Sequence, residues 1–419
     1  MQGPSLRELI SIVPILRQGV LQPLVLFSEK YGLNYCLRFL GQRHYVFSAP
    51  EQVHEILLEK SKSFHKNYGL LQKLLGEGIL TADGEFWKQQ RKIINPLFMK
   101  SSHEHFARVI REEFAVFDQK NLRTPWIQEE MLELSLRIIS RILFSEIDPQ
   151  TVEIVKNTVE DFQTHFVKSF RSLVPLPFAT PRPSYFRFRR SLNRFNEFLK
   201  MKLKEREKKS FPDLLQLLME ARLADGRSLS FEQIRDEMTT MVMAGHETTA
   251  HNMTWTLMLL ADHQDIQTKI RDDLSHSEMG LFKNVLRESL RLYPPIWYVE
   301  RRAIEDVTIG GEKIPQGSKV GLCLYLTHHH PELWDQPMKF FPQRFENLDE
   351  IKKKRCYLPF GAGSRVCIGA GLAELEAEII IAELIKKYKI TRNDSRPIEL
   401  DPLVTLRPKK DFQLCFTPL

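Results

Sequence analysis

The chain has 419 residues, of which 42% are hydrophobic and 27% charged. That is the balance of a globular protein, and it excludes a disordered chain, a collagen-like fibre and a disulfide mini-protein. Lys plus Arg is 60 and Asp plus Glu is 53, a net charge of +7 that suits an acidic partner protein, an anionic membrane surface or nucleic acid.

The two densest basic runs, Lys202–Lys209 and Lys352–Arg355, lack the interleaved aromatics of a strand-stacking surface. They read as solvated faces, and no nucleic-acid partner is expected. Five cysteines, an odd number with no CxxC pair, exclude a disulfide framework and a zinc ribbon and fit a reducing, cytoplasmic compartment. The first forty residues have apolar stretches broken by Arg7, Arg17 and Lys30, with no secretory cleavage pattern.

Along the chain, helical apolar spacing predicts helices over 49–59, 84–99, 103–120, 126–145 and 150–170. Pro175, Pro177, Pro181 and Pro183 predict a loop over 172–184. Helices resume at 185–209 and 212–222. Ser230 and Gln233 form a capping-box pattern that starts a helix running to about Leu260. Met238–Ala261 is long enough to span a membrane, but Glu247 near its centre would cost about 2.5–3.5 kcal/mol there. A helix buried inside the protein is the better reading.

A further helix at 281–292 ends at Pro294-Pro295. Residues 297–327 read as hairpins about Gly310-Gly311 and Pro315–Gly317, and 331–360 as irregular. A last long helix spans 368–388, and strands follow to the end. No repeat or Gly/Ser linker appears, so one mainly α domain with a small β portion is expected over 1–419.

The most specific segment is Phe360-Gly-Ala-Gly363-Ser-Arg365-Val-Cys367-Ile-Gly369. Its glycines let the backbone approach something large, and it delivers a lone cysteine to a helix start, where free N–H groups favour a thiolate. Arg365 adds positive charge for an anionic group. This string resembles the haem-binding signature of the cytochrome P450 family, and the resemblance runs from about residue 20 to the end. The other four cysteines lack such a context and read as structural.

Further motifs agree with that family. Glu288-x-x-Arg291 and Pro342-Gln-Arg344-Phe345 match its E-x-x-R and P-x-R-F elements, implying a buried structural network of Glu288, Arg291 and Arg344. Trp87-x-x-x-Arg91 matches its W-x-x-x-R helix. Ala244-Gly245-His246-Glu247-Thr248-Thr249 matches its oxygen-activation element. Reductive cleavage of dioxygen consumes two protons, which a hydroxyl beside an acid can relay. His328-His329-His330-Pro331 departs from the family's His-Arg-Asp/Asn-Pro and reads as a solvated turn. The stretch between Leu274 and Leu281 is shorter than in many relatives.

The resemblance implies a cytochrome P450 fold with its long helix over a haem b. Cys367 is the implied axial thiolate and metal ligand. Thr248 and Glu247 serve oxygen activation; Trp87, Arg91, Arg301 and Arg365 hold the propionates, with Arg302 the alternative to Arg301. Gly245, Phe360 and Gly369 shape the cofactor site. Met241, Ala244, Ile296, Trp297, Tyr298 and Val299 are expected to line the substrate pocket.

The implied reaction inserts one oxygen atom of O2 into an apolar, lipid-like substrate: a fatty acid, terpenoid or steroid. Electrons come from a separate ferredoxin or flavodoxin-type donor with its reductase, docking on basic residues near the cysteine loop. A monomer is expected. The 173–187 segment reads either as a peripheral membrane contact or as a solvent-exposed flap. Two rival readings are a peroxide-driven peroxygenase of the same fold, which needs no Thr248 relay, and a non-enzymatic haem-binding protein.

Overall fold

The cap expected at Ser230 forms. Its hydroxyl accepts the Gln233 N–H at 3.2 Å, while the Gln233 side chain accepts the Ser230 N–H at 2.8 Å. This reciprocal cap starts a 32-residue helix, Phe231–Asp262. The computed structural model describes all residues except 13–14, 16–18, 40, 120–124, 146, 171–179, 181, 224, 350–354 and 395. Most of the proline-rich 172–184 stretch and the basic run from Lys352 therefore lie outside the described residues.

The helices that build the site are α1 (Gly84–Ile94), α2 (His103–Asp118), α3 (Ile127–Phe144), α4 (Pro149–Phe170), α5 (Pro183–Arg206), α6 (Phe231–Asp262), α7 (Gly280–Leu292) and α8 (Ala370–Lys387). Each falls within or beside a segment expected from apolar spacing. Pro96 explains why α1 stops short: the chain continues only as a 3-10 turn over Asn95–Phe98. In α3, Met131, Leu134, Ile138 and Ile142 recur at helical spacing and are all buried. They pack against α6, which is buried nearly all round from Ile234 to Ala261. Among the described residues no helix is long and apolar enough to cross a membrane.

The strands are β1 (Asn34–Phe39), β2 (Gln42–Phe47), β3 (Phe64–Lys66), β4 (Val299–Ala303), β5 (Val307–Ile309), β6 (Glu312–Ile314), β7 (Lys319–Leu322), β8 (Tyr388–Thr391), β9 (Leu400–Pro402), β10 (Leu406–Pro408) and β11 (Cys415–Pro418). One five-stranded sheet runs in the order β1-β2-β7-β4-β3, with β2 and β7 parallel and the other pairs antiparallel. It joins the N-terminal strands, which have no counterpart in the sequence reading, to the hairpin region. The expected turn at Gly310 and Gly311 links β5 to β6, with φ of 54° and 82°. Hairpin strands do not continue to 327: Leu324–His329 is a short helix. β8 pairs with β11 and β9 with β10.

The Glu288 network forms as the motifs imply. Glu288 and Arg291 are fully buried. The Glu288 carboxylate accepts from Arg291 Nε at 2.7 Å and Nη2 at 2.9 Å, from Arg344 Nε at 2.9 Å and from the Phe341 N–H at 3.0 Å. Arg291 Nη1 reaches onward to the His328 carbonyl at 2.7 Å. The His328 Nε2 in turn accepts the Leu358 N–H at 2.9 Å, two residues before the cysteine loop.

The histidine run is therefore not a solvated turn. His328 and His329 are buried. Burial drives both imidazoles neutral, His329 to about 3, which leaves a ring nitrogen of His328 free to accept. Among the described residues no group of three or more His, Cys, Asp or Glu is placed to hold a metal.

Replacing Glu288 with Ala strands the buried Arg291 guanidinium and removes a partner of the half-buried Arg344. The expected loss is about 3–5 kcal/mol, to be read from the urea unfolding midpoint.

Candidate active site

Two positive-φ glycines shape the cysteine loop: Gly361 at 72° and Gly363 at 70°. A Cβ on Gly363 would lie 2.3 Å from the Leu57 carbonyl, so no side chain fits there. The loop folds back on itself through Gly361 N–H to Leu358 O at 3.0 Å, Val366 N–H to Gly363 O at 3.1 Å and Cys367 N–H to Phe360 O at 3.0 Å. These bonds leave the Cys367 side chain opening into an internal cavity of about 330 Å³, which Phe360 and Gly369 also line.

Cys36, Cys323 and Cys356 are buried, Cys415 is half-buried, and none of the five cysteines forms a disulfide. Helix α8 begins only at Ala370, with Gly369 as its cap. In the protein alone, burial raises the Cys367 thiol. The Gly369 N–H, Arg91 and Lys66 pull it back only in part.

Cations line one wall. The Arg365 guanidinium lies 3.7 Å over the Trp87 ring, pairs with Asp83 and donates to the Ala82 carbonyl at 2.9 Å. Arg91 Nη1 donates to the Val366 carbonyl at 2.7 Å. Arg301 is buried and lines the cavity, whereas Arg302 is exposed, since successive residues of β4 face opposite sides.

The sequence reading missed Lys66, on β3. It stands directly across from Arg301 in the sheet and donates to the Leu80 carbonyl at 2.9 Å. Burial, then the charges of Arg365 and Arg301, brings its amine down to about 7. Like charges set opposite one another in a sheet destabilise it. Here four cations gather with Asp83 as the offsetting carboxylate, so this wall fits a ligand carrying more than one carboxylate.

Helix α6 forms the facing wall through Met241, Ala244, Gly245, Glu247 and Thr248. The Thr248 hydroxyl donates to the Ala244 carbonyl at 2.9 Å, and Thr249 to the Gly245 carbonyl at 3.3 Å. Such bonds to the preceding turn loosen a helix locally. Glu247 is buried, and burial raises its carboxyl while the Arg407 guanidinium lowers it. The small size of Gly245 serves packing: a Cβ there would lie 2.9 Å from Ile139 of α3.

Ile296 and Val299 line the cavity as expected, but Trp297 and Tyr298 turn away. The Trp297 Nε1 donates to the Leu403 carbonyl at 3.0 Å within the cluster around Leu21 and Leu24, and Tyr298 bonds to His44 at 2.6 Å. Apolar residues from distant elements take their place: Leu71 and Leu75 before α1, Phe162 and Phe166 of α4, and Leu403 and Val404 between β9 and β10. No local motif marks these positions.

One sulfur, an apolar chamber and a wall of cations suited to two carboxylates make a donor set that fits a haem held by thiolate. A family model for cytochrome P450 matches residues 1–416. A cytokinin hydroxylase of Arabidopsis thaliana is 30% identical, with 94% of this chain and 83% of that protein covered. A cyclooctat-9-en-7-ol 5-monooxygenase of Streptomyces melanosporofaciens is 28% identical over 84% of this chain and 82% of its own. A pentalenene oxygenase of Streptomyces avermitilis is 26% identical over 85% and 84%. Among solved structures, retinoic acid bound cyanobacterial CYP120A1 superposes with a TM-score of 0.82 over 94% of this chain and 93% of its own, at 22% identity. The chain belongs to the cytochrome P450 family. It is a haem-dependent monooxygenase.

Lys66 has a lowered amine in the folded chain and an ordinary one when unfolded, so between about pH 7 and 10 the unfolded state binds the extra proton. Stability of the haem-free protein is expected to gain from this group as pH rises through that window. In Lys66→Met that contribution to the slope of unfolding free energy against pH should vanish.

Proposed function

We propose that the protein, acting as one catalytic domain and as a monomer, inserts one oxygen atom of O2 into a lipid-like substrate, with a terpenoid favoured over a fatty acid or steroid. The observation that carries this reading is that Cys367 and Thr248 line one cavity whose other walls are mostly apolar. Two relatives named for terpenoid oxygenation support the substrate class. Electrons are supplied by a separate ferredoxin or flavodoxin-type protein and its reductase.

Cys367 Sγ would hold the haem iron. Arg91, Arg301, Arg365 and Lys66, with the Trp87 ring packed under Arg365, receive the propionates. Haem held there would supply the chemistry that activates O2. Coordination would override the burial that raises the free thiol, because a ligating thiol is deprotonated outright.

On the facing side, Thr248 Oγ1 holds a proton that it shares with the Ala244 carbonyl. Glu247, whose carboxyl burial holds above the ordinary carboxylate range, replenishes that proton. Met241, Ala244, Ile296 and Val299 exclude water and bind the substrate by apolar contact.

The reduced carbon monoxide complex tests the axial ligand. A thiolate-type, red-shifted Soret band is expected, lost in Cys367→Ala; a histidine-type band in the parent protein overturns the assignment. In Thr248→Ala, product formation should fall roughly 10²-fold while reductant consumption continues and hydrogen peroxide accumulates. Peroxide-driven turnover untouched by that substitution would favour the peroxygenase reading. A high-spin spectral shift with terpenes, and none with fatty acids or steroids, supports the substrate class.

A further inference from the structure

Two buried acids near the start of α6, Asp236 and Glu237, have no part in the chemistry above. Both face the segment between the short helix Gly69–Leu75 and α1. The Glu77 N–H donates to Asp236 Oδ2 at 2.8 Å, and the Ile79 N–H donates to Glu237 Oε2 at 3.0 Å. From the other side, Arg235 donates Nε and Nη2 to Asp236 Oδ1 at 2.9 and 2.6 Å.

The segment is shaped to receive these carboxylates. Gly76 has a φ of 73°, and a Cβ there would lie 2.0 Å from Asp236 Oδ2. A Cβ on Gly78 would lie 2.2 Å from Thr240 Oγ1 and 2.6 Å from the Asp236 carbonyl. The Thr81 hydroxyl closes the turn onto the Gly76 carbonyl at 2.6 Å. Leu75, Ile79 and Leu80, carried on this same stretch, form part of the cavity wall.

Glu237 is fully buried, its Oε1 has no hydrogen-bond partner among the described residues, and burial pushes its carboxyl up to about 8. A buried acid with no cation against it is an expensive way to fill space. Its one clear interaction is the bond to the loop amide.

We propose that Asp236 and Glu237 are positioning residues for the substrate: their two hydrogen bonds hold the 76–80 segment against α6 as a wall of the cavity, so that a bulky ligand is retained. The inference rests on the reading of this cavity as the substrate site, whichever lipid fills it.

The test uses the holoenzyme and two probes that bind haem iron through a ring nitrogen, imidazole and 4-phenylimidazole, followed by the visible spectrum. The small probe reports the iron, and the bulky one also needs the wall. A buried N–H left without an acceptor implies that Glu237→Leu and Asp236→Ala weaken 4-phenylimidazole roughly tenfold. Imidazole should bind these variants as it binds the parent. Glu237→Gln keeps an oxygen for the Ile79 N–H and should bind both probes like the parent.

Gly78→Ala pushes the loop from its own side with both acids intact, and should reproduce the selective loss even if Glu237→Leu does not fold. Hydrogen exchange over 76–80 should quicken in Glu237→Leu and Gly78→Ala and stay slow in Glu237→Gln. Parent-like 4-phenylimidazole affinity in Glu237→Leu or Gly78→Ala overturns the proposal. So does an equal weakening of both probes, or a Glu237→Gln variant as damaged as Glu237→Leu. No spectral change with either probe in the parent would instead overturn the reading of the cavity itself.

Discussion

Two carboxylate oxygens of Glu288 receive four donors: two from Arg291, one from Arg344 and the backbone N–H of Phe341. A fully buried carboxylate is tolerable only when its charge is met and its lone pairs are filled, and here both conditions hold. The consequences travel outward. Arg344 ties down the irregular stretch through the Asp335 carbonyl, and the Arg291 guanidinium stacks 5.1 Å from the Trp334 ring. Through the His328 carbonyl and ring, the same cluster reaches the Leu358 amide and so the strand of backbone that aims Cys367. The loop that presents the sulfur has no regular sheet to hold it. Its position depends on this hub.

The site itself is a contest between burial and charge. Burial raises the Cys367 thiol against the pull of Arg91, Lys66 and the Gly369 amide. Burial and three arginines lower the Lys66 amine. Burial thus disfavours the charged form of both groups in the protein alone, and a ligand bringing a metal to the sulfur and carboxylates to the cations would offset that. On the facing wall burial likewise raises the Glu247 carboxyl, next in the chain to a threonine whose hydroxyl is bonded within its own helix.

Much of this was legible before any coordinates. Helix positions followed from apolar spacing because a 3.6-residue period is local. The cap at Ser230 was readable because donor and acceptor lie three residues apart. The cysteine loop, the Glu288–Arg291 pair and the Thr248 element were readable because each is a short string whose chemistry constrains its neighbours. The errors came where contact is long-range. Nothing near the histidine run says that His328 will accept an amide proton from Leu358, thirty residues on. Nothing local says that Trp297 and Tyr298 will turn from the cavity toward the N-terminal strands.

By itself, then, the sequence determined the family and the helical framework, and it carried the cysteine, the threonine–glutamate pair and most of the arginines in recognisable motifs. Only the tertiary structure decided what those residues face. Lys66 became part of the cation wall because β3 pairs with β4 and sets it opposite Arg301 across 235 residues of chain (301 − 66). The cavity took its apolar lining from α4, the segment before α1 and the turn between β9 and β10 because packing brings them together over α6. Charge–charge coupling and burial act through space, with no memory of separation along the chain, and so leave no mark in a local pattern.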